Sequence, residues 1–132
     1  MLTIRREQME AFSKAMRRRF EDRLVVHLRR KFLDDYKKLG EQGVRARAQA
    51  GIERAAGYGV TIECDVARFV ELMFRLTESF DTDPQYPWAA EVLGDADMGS
   101  HPKMDLVCER AELEIARGRD LGWETGHGET WI

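Results

Sequence analysis

An all-α protein is predicted by three features of the sequence. Met9, Phe12, Met16, Phe20, Leu24, Leu28 and Phe32 recur at steps of three and four, which puts them on one stripe of a helix with 3.6 residues per turn. Val66, Phe69, Val70, Met73, Phe74, Leu76 and Phe80 repeat that spacing more densely. Glycines fall between these segments as punctuation, at Gly40 and in Gly57-Tyr58-Gly59, where the left-handed conformation that closes helices carries no Cβ penalty. The expected architecture is a single compact helical domain of about five helices over residues 1–118. A Gly- and Trp-containing tail, residues 119–132, follows it.

The first element is a long basic helix beginning near residue 4. Its apolar stripe advances mostly in steps of four, which a strict coiled-coil heptad would not sustain, so the stripe is read as a docking face. Arg17, Arg18, Arg23, Arg30 and Lys31 occupy the opposite side. A second helix is expected from about Glu41 to Ala56, with Val44, Ala48, Ile52 and Ala55/Ala56 making a narrow face of small side chains. After the Gly-Tyr-Gly stop, Thr61 is the candidate N-cap of a third helix, and Glu63 and Asp65 in its first turn suit the helix dipole. That helix, over 62–80, is apolar around more than half its circumference and is expected to be the central core helix, crossed by the basic one. Phe69, Met73, Phe74 and Trp88 are expected to be largely buried.

Pro87 suits the first turn of a short helix that carries Trp88. The connector DADMGSHP leads to Pro102 and a last helix from Lys103 to about Arg117, with Met104, Val107, Cys108, Ala111 and Ile115 on one side. In the tail, Trp123 and Trp131 have two readings: they cover the core, or they anchor a partner, since Trp is enriched at binding hot spots.

Composition bounds the function classes. With 132 residues, 43% hydrophobic and 34% charged, the chain can bury a core without staples. No apolar run approaches the roughly 20 residues of a membrane span. The N-terminal MLTIRREQMEAF puts charges where a signal peptide has its apolar segment, so a cytoplasmic location is expected. Cys64 and Cys108 form no CxxC pair and are read as buried thiols rather than zinc or disulfide cysteines. The net charge of −3 divides unevenly: residues 1–40 hold 12 Lys/Arg and 6 Asp/Glu, which leaves 9 and 18 for the rest.

Catalytic signals are sparse. Asp81 and Asp83 have the Asp-x-Asp spacing that opens a calcium loop, but Gln85, Tyr86 and Val92 stand where the remaining pattern needs an oxygen ligand, a glycine and a glutamate. The pair is read as turn chemistry, with Asp83-Pro84 starting the turn. His27, His101 and His127 show no metal spacing, and no nucleophile elbow or phosphate loop is present. Asp81, Asp83 and His127 are the residues to mutate first should an activity be found. No catalytic residue, metal or cofactor is expected, and the chain is read as no enzyme.

Two stretches, IRREQMEAF…FEDRLVVHLRRKF and GIERAAGYGVTIECDVARFVELMFRLTESFDTDPQYPWAAEVL, resemble a group of small uncharacterised helical proteins encoded beside effector and spike genes of bacterial type VI secretion systems. The pattern runs from YG(I/V) through V…LMF and FD.DP to PWA, covering most of residues 4–115. Where that group tends to carry Pro after the aromatic at the end of the first basic stretch, this chain has Leu33 after Phe32. The resemblance implies a non-enzymatic protein-binding accessory, an adaptor or chaperone for a secreted effector or spike component. An immunity protein that occludes a cytoplasmic toxin is the alternative. A nucleic-acid-binding regulator is another, resting only on the arginines of residues 5–30 against a pI of about 5.7. A protein partner is expected, with no membrane and no small molecule. Its candidate contacts are Arg17, Arg18, Arg23, Arg30, Trp123 and Trp131.

Overall fold

A computed structural model describes residues 6–120, with side chains from 14 to 118. Five helices account for the described chain: α1 (Arg6–Lys31), α2 (Leu33–Gly57), α3 (Glu63–Arg75), α4 (Pro87–Leu93) and α5 (Ser100–Asp120). No strand occurs among the described residues, so the fold is all-α as expected. The chain separates into two compact units, one ending at Arg54 and one starting at Ala55.

In the first unit α1 is helical from the first described residue, Arg6, and the expected start near residue 4 lies outside the described residues. Phe32 interrupts the helix only nominally, because i→i−4 bonds continue on both sides of it, Phe32 N to Leu28 O at 2.8 Å and Tyr36 N to Phe32 O at 2.9 Å. The real break lies inside α2, at Gly40 with φ 74 and ψ 171, a conformation that L side chains avoid. Helical residues 41–57 beyond it match the predicted second helix. Arg17 reaches Glu53, and Glu21 reaches both Gln49 and Arg45. Rising numbers on α1 thus meet falling numbers on α2, so the two helices run antiparallel. Leu24, Val25, Leu28, Val44 and Ala48 are buried.

The apolar stripe of α1 needs correcting. Met16 is 46% exposed, Phe20 and Phe32 are half-buried, and Val25, off the stripe, is buried instead. Met9 and Phe12 lie outside the described side chains.

The second unit begins with a helix stop. Val60 N donates to Ala55 O and Gly59 N to Ala56 O, with Gly59 at φ 80. This is the paired 6→1 and 5→2 bonding of a Schellman cap, which needs a left-handed residue at the Gly59 position. Val60, the next residue, is fully buried.

The N-cap of α3 is Ile62 in extended conformation, without a side-chain cap bond, so the assignment to Thr61 is off by one. α3 also stops at Arg75, earlier than the predicted 80, with Leu76 as its C-cap. Phe80 is buried from a turn rather than from the helix, its ring 5.0 Å from that of Phe69. Phe69 and Met73 are buried as expected, whereas Phe74 and Trp88 are only partly so. α5 packs against both α3 and α4 and starts at Ser100, three residues before the prediction. Met104, Val107 and Ala111 form its buried face.

Candidate functional site

A cleft in the first unit and a polar hub in the second each gather side chains with binding or chemical potential.

The first is a cleft of about 480 Å³ on the antiparallel pair of the first unit, lined by Lys14, Arg17, Arg18, Glu21, Arg45, Gln49 and Glu53. Long charged side chains, the cations Lys14, Arg17 and Arg18 and the carboxylate of Glu21, are projected from successive turns of α1 because 14, 17, 18 and 21 lie at helical steps of three and four. On the opposite wall, Arg45 donates to Glu21 and Asp22, both at 2.9 Å. Those two bonds hold its guanidinium pKa above the ordinary value. Gln49 completes the wall through Glu21 Oε1 at 2.9 Å.

Arg17 spans the cleft loosely, 3.4 Å from Glu53, with both side chains largely exposed. Such an exposed pair is weak. Lys14, Arg18 and Arg30 are exposed and have no charged partner among the described residues. Arg23 lies 5.8 Å from the centre of the Phe20 ring. The structure thus brings Arg17 and Arg18 of the predicted set into one cleft and leaves Arg23 and Arg30 outside its lining. Lys14, Arg45 and Gln49 were missed, the last two because only the antiparallel pairing brings α2 to that face. Trp123, Trp131 and His127 lie outside the described residues.

The second is a polar hub in the second unit. Asp65, in the first turn of α3, is fully buried. Its Oδ1 accepts from Arg68 Nη2 at 2.7 Å and lies 2.9 Å from His101 Nδ1. Its Oδ2 accepts from Ser100 Oγ at 2.8 Å. Ser100 and His101 open α5, so one carboxylate ties the starts of two helices together. Burial pushes the Asp65 carboxyl up, but the bonds from Arg68, Ser100 and His101 outweigh it and hold the carboxyl below its ordinary range. Arg68 also donates to Asp105 at 2.9 Å, and Cys64 Sγ stands 3.8 Å from Asp65 Oδ1.

Cys64 is exposed, against the expectation of a buried thiol. Cys108 is partly buried, and burial raises its thiol pKa to about 11 despite the nearby Arg68 and Arg75.

Asp81 and Asp83 serve the fold locally. Tyr58 donates its hydroxyl to Asp81 at 2.8 Å. Asp83 accepts from Thr77 Oγ1 and from the backbone N of Gln85, the Asx-turn bonding that its place before Pro84 leads one to expect.

No helix among the described residues is long and apolar enough to cross a membrane. No protein-family model, curated protein or solved structure matches the chain.

Proposed function

We propose that the chain is a stoichiometric protein-binding module whose cationic cleft on α1 and α2 takes an acidic segment of its partner. The observation that supports this most is the set Lys14, Arg17 and Arg18, exposed side by side over a cleft of about 480 Å³. Exposed cations on a rigid helical wall raise the encounter rate with an anionic partner and select against cationic ones. Glu21 and Glu53 stand among these cations. An alternation of signs of that kind suits an acidic protein segment whose carboxylates are interrupted by other residues better than an unbroken phosphate backbone, which favours the protein reading over nucleic acid.

The resemblance to proteins encoded beside type VI effector genes supports an adaptor or chaperone as the form this binding takes. A secreted effector or spike component is the proposed client. Affinity capture from the native cell followed by titration calorimetry tests the reading: saturation at a fixed ratio of chain to client is expected. An effect that persists at trace amounts of this chain, by turnover, contradicts it.

A further inference from the structure

We propose that Cys64, Asp65 and His101 form a zinc-binding site at the joined starts of α3 and α5, separate from the cationic cleft. One ligand atom from each of the three lies within 4.8 Å of the other two. Bond lengths to Zn²⁺ of about 2.3 Å for sulfur and about 2.0–2.2 Å for nitrogen and oxygen set ligands roughly 3.2–3.8 Å apart in a tetrahedron. Cys64 Sγ and His101 Nδ1 stand 3.8 Å and 2.9 Å from Asp65 Oδ1. Closing the site on an ion therefore keeps the first spacing and opens the second by roughly 0.3–0.5 Å, while the sulfur and the imidazole, within 4.8 Å of each other, approach by up to about 1 Å, a movement open to two side chains that are both exposed. Sulfur, imidazole and carboxylate together are a donor set that zinc accepts and that magnesium or calcium does not.

The surrounding bonds complete the argument. A metal-bound imidazole usually gives its other N–H to a carboxylate, which fixes the tautomer. His101 Nε2 faces Asp105 Oδ2 at 3.7 Å. With Nδ1 deprotonated and its lone pair on the metal, His101 ceases to occupy Oδ1 of Asp65. That frees one lone pair for the ion, while Arg68 keeps the other and Ser100 keeps Oδ2.

The charges also balance. A Cys64 thiolate and the Asp65 carboxylate neutralise the dication, and Arg68 is offset by Asp105, to which it is already bonded. Three protein ligands leave a fourth position open, on the side where Cys64 and His101 are exposed to solvent.

The sequence concealed this site because Cys64 and His101 are far apart in number and meet only when α5 packs on α3. The test uses the full chain, stripped of metal and titrated with zinc chloride by calorimetry, and with cobalt chloride by absorption. The expected result is one zinc per chain and a thiolate-to-cobalt charge-transfer band. Cys64→Ser and His101→Ala should each weaken zinc by more than the roughly 10–100-fold that loss of an outer-shell partner costs, and Asp105→Asn by about that amount. Cys108→Ser should bind as the parent does. Circular dichroism confirms that each variant is folded, and Cys64→Ser, altering an exposed atom, keeps the test valid should His101→Ala unfold. Absence of one-to-one binding, or zinc affinity unchanged in Cys64→Ser, overturns the proposal.

Discussion

The ammonium of Lys103 is buried and donates to the backbone carbonyl of Tyr58 at 2.7 Å. A second bond, at 2.9 Å, reaches the carbonyl of Leu93. Both acceptors belong to chain ends of helices, where the last carbonyls lack intrahelical donors and carry the negative end of the dipole. One lysine on α5 thus caps the end of α4 and the turn that follows α2.

Lys103→Met should therefore destabilise the protein although it removes a buried charge. Two carbonyls would lose their donor, that of Leu93 in a buried bond and that of Tyr58 in a part-buried one, at about 1–3 kcal/mol for the first and less for the second, partly offset by the relief of burying an ammonium. The urea midpoint should fall measurably. An unchanged midpoint contradicts the capping role.

Packing around Phe69 gives a second prediction. Its ring is fully buried, 6.1 Å from that of Tyr58 and 5.0 Å from that of Phe80. Phe69→Ala should cost about 3–5 kcal/mol. Trp88→Ala should cost less, because Trp88 is partly exposed and rests against the Tyr86 ring at 5.9 Å. Equal losses in a denaturation series would show that Trp88 is a core anchor after all.

The helical architecture was legible because its signals are local. Gly40 and Gly59 sit where only a residue without Cβ is at ease, and Pro87 marks the start of α4. Asp83 bonds within its own turn. The hub was not legible, since Asp65 meets Ser100 and His101 across 35 and 36 residues. As a charged residue in the first turn of α3, Asp65 reads as a solvated dipole partner, and only the packing of α5 reveals it as buried. Met16 illustrates the opposite failure: apolar periodicity says which residues share a face, not how far along the helix that face is covered.

Acid should loosen the protein partly through Asp65. Its folded pKa lies below the ordinary 3.8, so its contribution is fully present above that value and is lost as pH falls below it toward the folded pKa. Asp65→Asn should be less stable at neutral pH and should show a flatter decline of the urea midpoint from pH about 7 to about 2. Parallel declines in parent and variant would exclude Asp65 as a source of acid sensitivity.

The two thiols should react differently. Cys64 is exposed, whereas burial holds the Cys108 thiol protonated, with a pKa of about 11. Because the thiolate is the nucleophile, a thiol reagent near pH 8 should label Cys64 first and Cys108 slowly unless the fold is opened. Mass spectrometry after timed labelling reads the order, and comparable rates would contradict it.

The central claim, that the cleft on α1 and α2 binds an acidic partner, is tested most directly by the salt dependence of association. Lys14→Glu, Arg17→Glu and Arg18→Glu change exposed side chains that line the cleft and should leave the melting temperature nearly unchanged. Stopped-flow mixing of this triple variant with the captured partner should show slower association than the parent at low salt and a flatter dependence on ionic strength. Association at the parental rate, with the parental salt slope, would remove this face from the binding surface.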